Sequence, residues 1–169
     1  MDKKVRDLMN AQINAEFYSA YLYLDFANYF ADAGLAGFQN WYMVQLQEER
    51  DHAMLMLKFL QLKGEHVDLE AIAKPDKDLS SALDVLKMGL AHEQYVSQLI
   101  NDIYAAAQEA KDFGTTQFLD WFVKEQVEEE DTAGSLIKKM ELFGSDPRGL
   151  YLLDQELAAR VYTAPSLVL

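Results

Sequence analysis

The chain has 169 residues, half of them apolar or aromatic, and carries 15 Lys and Arg against 28 Asp and Glu, a net charge of −13 at neutral pH. That length suits a single domain over 1–169 with a full core, and that charge excludes nucleic acid or an anionic membrane as the main partner while admitting cations. Cysteine is absent, no apolar run approaches the roughly 18 residues of a membrane span, and Met1 to Asp7 lack the apolar stretch of a secretory leader, so a cytoplasmic protein without disulfides or thiolate metal sites is expected.

Only three prolines occur, at 75, 147 and 165, and no sustained apolar/polar alternation marks a strand. Helical periodicity runs instead from about 3 to 32 and stops at Ala33-Gly34, where glycine can take the left-handed conformation that ends a helix. A second helix is predicted over about 36–63, with Gly64 as its stop. A third begins near Asp78 or Ser80, either able to cap it, and ends around Lys111. After a short Asp112-Phe113-Gly114 link, Thr115 is the expected cap of a fourth helix that reaches Phe143. Asp146 and Pro147 then open a short fifth helix, fading by about residue 160.

Connection lengths set the topology. Helices one and two, and three and four, are joined by a few residues, so each pair is antiparallel. The Glu65–Lys77 connection can reach roughly 40 Å at about 3.3 Å per residue, as far as a helix of about 28 residues extends. It therefore crosses the bundle end to end and leaves helices two and three parallel. The expected fold is all-α: a four-helix bundle over about 3–143 with one long crossover, plus the short C-terminal helix at about 147–160. Leu150, Leu152, Leu153 and Leu157 are too apolar for a free tail and require a surface to bury against.

Steps of three and four along each helix trace its buried seam. The first reads Met9, Ile13, Glu16, Ala20, Tyr23, Ala27, Phe30, and the second Phe38, Tyr42, Gln45, Glu49, His52, Met56, Phe59. The third reads Leu86, Leu90, Glu93, Val96, Ile100, Ile103, Ala107, and the fourth Phe118, Phe122, Gln126, Glu129, Ala133, Leu136, Met140, Phe143. Every seam is apolar at both ends and polar near its middle, and the topology brings the four polar midpoints to one level. Four carboxylates buried there as bare anions would each cost several kcal/mol, and no Lys or Arg lies on a seam to balance them. Two divalent cations would. Oxygen ligands with one imidazole and no sulfur suit iron or manganese better than structural zinc. Glu49-Arg50-Asp51-His52 is a Glu-x-x-His arrangement, whose i, i+3 spacing turns both side chains to one face. In isolation that motif reads more readily as a solvated helix face; four seams interrupted at one level do not.

These residues, Glu16, Glu49-x-x-His52, Glu93 and Gln126-x-x-Glu129, resemble those of the bacterial non-haem ferritins within the ferritin-like superfamily, over essentially the whole chain. The resemblance implies a protein that oxidises Fe(II) with oxygen or hydrogen peroxide and stores the ferric product in a hollow shell of 24 chains, the fifth helix lining a symmetry-axis channel. It implies that Glu16, Glu49 and His52 hold a first iron and that Glu49 bridges to a second held by Glu93 and Glu129 with Gln126 nearby. Tyr23 resembles the tyrosine such proteins keep beside the centre, although a packed core tyrosine fits as well. Glu48, Glu125 and Glu128 resemble an additional third-iron site toward the shell interior, and read equally as a solvated acidic face. Relatives with a symmetric centre carry a second Glu-x-x-His where this chain has Gln126 and Glu129, so one iron is expected to be loosely held. Haem-binding relatives place a methionine directly after the Glu of the second-helix motif; Arg50 stands there, and no haem is expected. His66 is expected at the surface and His92, about 100 degrees off the seam, is not assigned as a ligand.

An alternative is a di-iron peroxidase or oxygenase without a storage role, which would call for a symmetric pair of Glu-x-x-His motifs or an attached electron-transfer domain. A DNA-protecting mini-ferritin would call for sites between chains and a basic tail, against the charge found here.

Overall fold

A computed structural model describes residues 1–169. The five predicted helices are present: α1 (Lys3–Asp32), α2 (Ala36–Leu62), α3 (Ala82–Glu109), α4 (Phe113–Phe143) and α5 (Pro147–Ala158). Gly34 and Gly64 stand at φ 73° and 74°, the left-handed stops expected after α1 and α2. Two caps differ from expectation. Ser81, not Asp78 or Ser80, caps α3: its hydroxyl accepts from the Asp84 amide at 3.1 Å and donates to the Asp84 carboxylate at 2.6 Å. Asp112, not Thr115, caps α4 by accepting from the Thr115 amide at 3.2 Å, so that helix starts three residues earlier.

The core divides into two clusters, and their membership fixes the helix directions. One gathers Val5, Met9 and Ile13 from the start of α1, Met56 and Leu60 from the end of α2, Ile100 and Ile103 from late α3, and Phe118 and Phe122 from early α4. The other gathers Phe26 and Phe30, Phe38 and Tyr42, Val85 and Leu86, and Leu136 and Ile137, together with Leu153 and Leu157 of α5. Ends of α2 and α3 thus share a cluster, and the two run parallel, while α1 runs antiparallel to both. The crossover between α2 and α3 lies along α1. Asn10 accepts from the Asp68 amide at 2.9 Å, and the Asn14 side chain donates to the carbonyls of Glu70 and Ala71 at 3.3 Å.

The fifth helix docks on the start of α2. Leu35 offers α2 no side-chain cap, and Asp154 supplies one from α5, its Oδ1 accepting from the amides of Gly37 at 2.8 Å and Phe38 at 3.1 Å. Any Cβ at Gly37 would sit 1.7 Å from the Asp154 carbonyl oxygen, so only glycine permits this approach. Leu153 and Leu157 are buried and Leu150 partly so; Leu152 stays exposed, contrary to the expectation that all four would be covered, because it lies on the far side of α5. Phe143 likewise falls off the seam and is half exposed, since α4 outruns the core by its last turn. No helix is long and apolar enough to cross a membrane.

Candidate metal centre

Between the two apolar clusters lies a polar layer. Glu16, Glu49, His52 and Glu93 are each at most 2 % exposed, and Gln126 and Glu129 are buried beside them. They sit there because each continues an apolar seam by one helical step: Ile13 precedes Glu16, Met56 follows His52, Val96 follows Glu93, and Phe122 precedes Gln126.

Glu16, Glu49 and His52 each offer one ligand-type atom, and these lie within 4.8 Å of one another, close enough to surround one ion. His52 Nδ1 is 3.8 Å from Glu49 Oε2, beyond hydrogen-bond distance. The imidazole is walled by Trp121 and Phe122, whose ring centres lie 5.5 and 5.7 Å away in edge-on contact. Two oxygens here, Glu16 Oε2 and Glu49 Oε1, are buried without any hydrogen-bond partner. A buried carboxylate oxygen without a donor is a costly arrangement that a cation relieves.

The other side of the layer is hydrogen-bonded. The Tyr23 hydroxyl donates to Glu93 Oε1, and the Gln126 amide donates to Glu93 Oε2 at 3.0 Å and to the Glu93 carbonyl at 3.2 Å. The Gln45 amide donates to Glu129 Oε2 at 2.9 Å. Burial, then repulsion from Glu129, pushes the Glu93 carboxyl up to about 8, against the bonds from Tyr23 and Gln126 that favour its anion. Burial raises Glu49 well above the usual carboxyl range, and the charges of Glu93, Glu16 and Glu129 push the same way. The Tyr23 phenol is also raised far above its ordinary value, by burial first and by Glu93 next. Carboxyls pressed together until they hold protons are groups that a divalent cation would discharge.

Glu48, Glu125 and Glu128 do not gather in the same way. Glu48 is ion-paired with Arg160 at 2.7 Å, Glu125 is half-buried, and Glu128 is exposed. Burial outweighs the guanidinium at Glu48 and raises it to about 7. Arg160 belongs to the segment after α5, its guanidinium 4.0 Å above the Trp41 ring. That segment continues across α2 and α4, with the Tyr162 hydroxyl donating to Asp51 of α2 and the Trp121 indole of α4 donating to Ser166 at 3.0 Å. Arg50 turns outward to Asp51 at 2.9 Å. His66 is exposed in the crossover, 3.4 Å from Asp68. His92 is off the seam, its Nε2 2.7 Å from the Ser19 hydroxyl, and burial, with a smaller push from Lys77, lowers it to about 4.

Several buried polar residues lie off the four seams, among them Asn10, Ser19 and Gln12, and one of these touches the centre. Gln12, 1 % exposed, donates to Glu16 Oε1 at 2.8 Å. Its signal was present, an amide one helical turn before an acid on an apolar face.

The comparisons with known proteins point one way. A family model described as the Ferritin-like domain matches residues 6–143. The bacterial non-heme ferritin of Staphylococcus haemolyticus is 38 % identical over 162 residues, covering 96 % of this chain and 98 % of that protein. The chain belongs to the ferritin family. Its Staphylococcus aureus relative of the same name is 33 % identical over the same 162 residues. Among solved structures, the open-pore ferritin of Archaeoglobus fulgidus superposes with a TM-score of 0.93 at 44 % identity, covering 95 % of this chain and 99 % of that one. An engineered closed form of that ferritin gives 0.94, also at 44 % identity, with 96 % and 99 % covered. The four-helix bundle with a short fifth helix is the fold these ferritins share with the chain.

Proposed function

We propose that this ferritin takes up Fe(II) at Glu16, Glu49, His52, Glu93, Gln126 and Glu129, oxidises it with oxygen or hydrogen peroxide, and stores the ferric product as mineral inside a shell built of its own copies. The observation that carries this reading is the pair of deeply buried carboxylate oxygens, Glu16 Oε2 and Glu49 Oε1, that meet no donor and share their surroundings with one imidazole. Glu16, Glu49 and His52 hold the first ferrous ion. Glu49, which no amide or phenol engages, reaches toward the second, held by Glu93 and Glu129 with the neutral Gln126 amide at its side. Two ferrous ions side by side supply two electrons together, the number that takes dioxygen to hydrogen peroxide or hydrogen peroxide to water.

The protein contributes charge, orientation and dryness. Four carboxylates balance two divalent ions, and the protons that burial places on Glu49 and Glu93 leave as the ions enter. Trp121 and Phe122 keep water from the imidazole. A neutral amide grips iron more weakly than a carboxylate or imidazole would, which favours release of the oxidised ion. Glu48, Glu125 and Glu128 form a third station toward the interior in this reading, where an arriving ion displaces Arg160 from Glu48. The shell has 24 chains and works in the cytoplasm, with the exposed Tyr151 and Leu152 of α5 as its contact surface at a symmetry axis.

The test is addition of Fe(II) under air to the purified protein, with particle size measured in parallel. Fast oxidation saturating at about two irons per chain, followed by mineral growth inside a large particle, is expected. Oxidation no faster than in buffer, or iron left outside a small particle, would overturn the reading.

A further inference from the structure

Three carboxylates of the buried layer are held by neutral donors and by no cation: Glu16 by Gln12, Glu129 by Gln45, and Glu93 by Gln126 and Tyr23. Gln126 belongs to the proposed ligand set, but Gln12 and Gln45 do not. Both are almost wholly inside the bundle, at 1 % and 4 % exposure, where an amide has no reason to be except for its partner. A glutamine one turn before a glutamate on the same helix face has the reach for one hydrogen bond and no more. At Glu16 that bond engages Oε1 at 2.8 Å and leaves Oε2 without a partner.

We propose that Gln12 is a positioning residue that divides the two oxygens of Glu16, holding Oε1 so that Oε2 alone is presented to a divalent ion. The proposal rests on the reading of Glu16 as an ion ligand. The chemistry of the donor is the reason for glutamine. A lysine or arginine at position 12 would hold the carboxylate equally well but would cancel the charge that draws the ion. An amide orients the carboxylate and leaves its charge in place. A carboxylate only accepts hydrogen bonds, so the amide nitrogen must face it, and the rotation of Glu16 that would wrap both oxygens around one ion costs that bond. Gln45 repeats the device on Glu129, engaging Oε2 at 2.9 Å from the neighbouring helix.

Cobalt(II) is the probe, because its visible bands report coordination and it does not turn over. In the assembled protein, Gln12→Leu should weaken binding of the first cobalt ion per chain by 10–100-fold, the range for loss of a residue supporting a metal ligand. The bands of the bound ion should change as Glu16 swings. Assembly should be retained and the ion-free protein should melt somewhat lower, because Glu16 loses its one donor; a merely structural role would lower the melting temperature without changing the bands of the bound ion. Gln12→Met, unbranched and of similar volume, should give the same readings if the leucine variant fails to assemble. Glu16→Gln separates the two levels of the argument. First-ion affinity lost in Glu16→Gln but unchanged in Gln12→Leu and Gln12→Met would overturn the positioning role while leaving the site intact. First-ion affinity unchanged in Glu16→Gln would overturn the site reading itself.

Discussion

At Glu16, Glu49 and His52 two carboxylate oxygens lie buried without a donor, whereas across the same layer Glu93 has both of its oxygens bonded and Glu129 has one. The two sides are buried to nearly the same degree and belong to the same four seams, so burial alone does not distinguish them. They differ in what occupies the place of an ion. On the Glu93 side, Tyr23, Gln126 and Gln45 already satisfy the carboxylates, and an arriving cation must compete with those bonds. On the Glu16 side it meets unsatisfied oxygens and an imidazole. The difference implies an order of filling, the Glu16 side first and the Glu93 side second and more loosely.

The largest effect is expected from Glu49, which stands between the two sides. Glu49→Gln keeps its shape but removes the charge shared by both ions. It should slow the fast phase of Fe(II) oxidation by more than about 100-fold, beyond the range for a supporting residue, while the particle still assembles. Stopped-flow absorbance with sizing checks both. A variant that oxidised iron as fast as the parent would break the comparison outright, because neither side would then depend on the carboxylate between them. The next effect tests the weaker side. Gln126→Glu replaces a neutral donor by an anion and removes its bond to Glu93, so the second ion should bind about tenfold or more tightly, some 1.4 kcal/mol. The first should be little changed. Calorimetric titration with cobalt(II) resolves the two steps, and transfer of iron to mineral should slow as the second ion is retained.

The contrast was only half legible in the residues. That Glu16, Glu49, Glu93 and Glu129 would be buried at one level followed from local periodicity, because a helix face repeats every 3.6 residues and the connections are short enough to fix its neighbours. Which oxygen each acid leaves free did not follow, since that depends on donors arriving from other helices: Gln45 of α2 on Glu129 of α4, Tyr23 of α1 on Glu93 of α3. The docking of α5 was hidden for the same reason. Leu35-Ala36-Gly37 is a poor start for a helix, and nothing nearby reveals that Asp154, more than a hundred residues later, supplies its cap. Arg160 at Glu48 is likewise a contact between chain segments far apart in sequence. Sequence periodicity reports which face is buried; it does not report what meets that face.

The Glu93 side should also reveal itself through pH. In the unfolded chain its carboxyl ionises near 4.5, and in the folded, ion-free protein near 8. Between those values the folded state holds a proton that the unfolded state has released, so stability is present below 4.5 and is lost as pH rises toward 8. One such group gives a slope of up to about 1.4 kcal/mol per pH unit. Glu49, also raised, acts in the same direction. The melting temperature of the ion-free protein should therefore fall between pH 5 and about 8, and saturating cobalt(II) should flatten the fall by replacing the protons. A melting temperature independent of pH without ions would mean that these carboxyls are already relieved of one another.

Tyr23→Phe should have the smallest effect and the most specific one. It removes one donor from Glu93 and keeps the ring, which packs against Phe26 and Tyr42 at 5.8 and 5.5 Å between ring centres. The phenol's bond favours the Glu93 anion, so its loss should raise that carboxyl further and make the proton harder for an ion to displace. Against this, Glu93 Oε1 is freed from a competing donor. The two consequences oppose each other, so the net change in second-ion affinity should stay within about tenfold, below the roughly 1.5–3 kcal/mol of a full hydrogen bond to a charged group. First-ion affinity should not move, because no hydrogen bond links Tyr23 to Glu16, Glu49 or His52. A shift confined to the second step of a cobalt(II) titration would show that the two sides are held independently. Equal shifts in both steps would show that the layer responds as one unit.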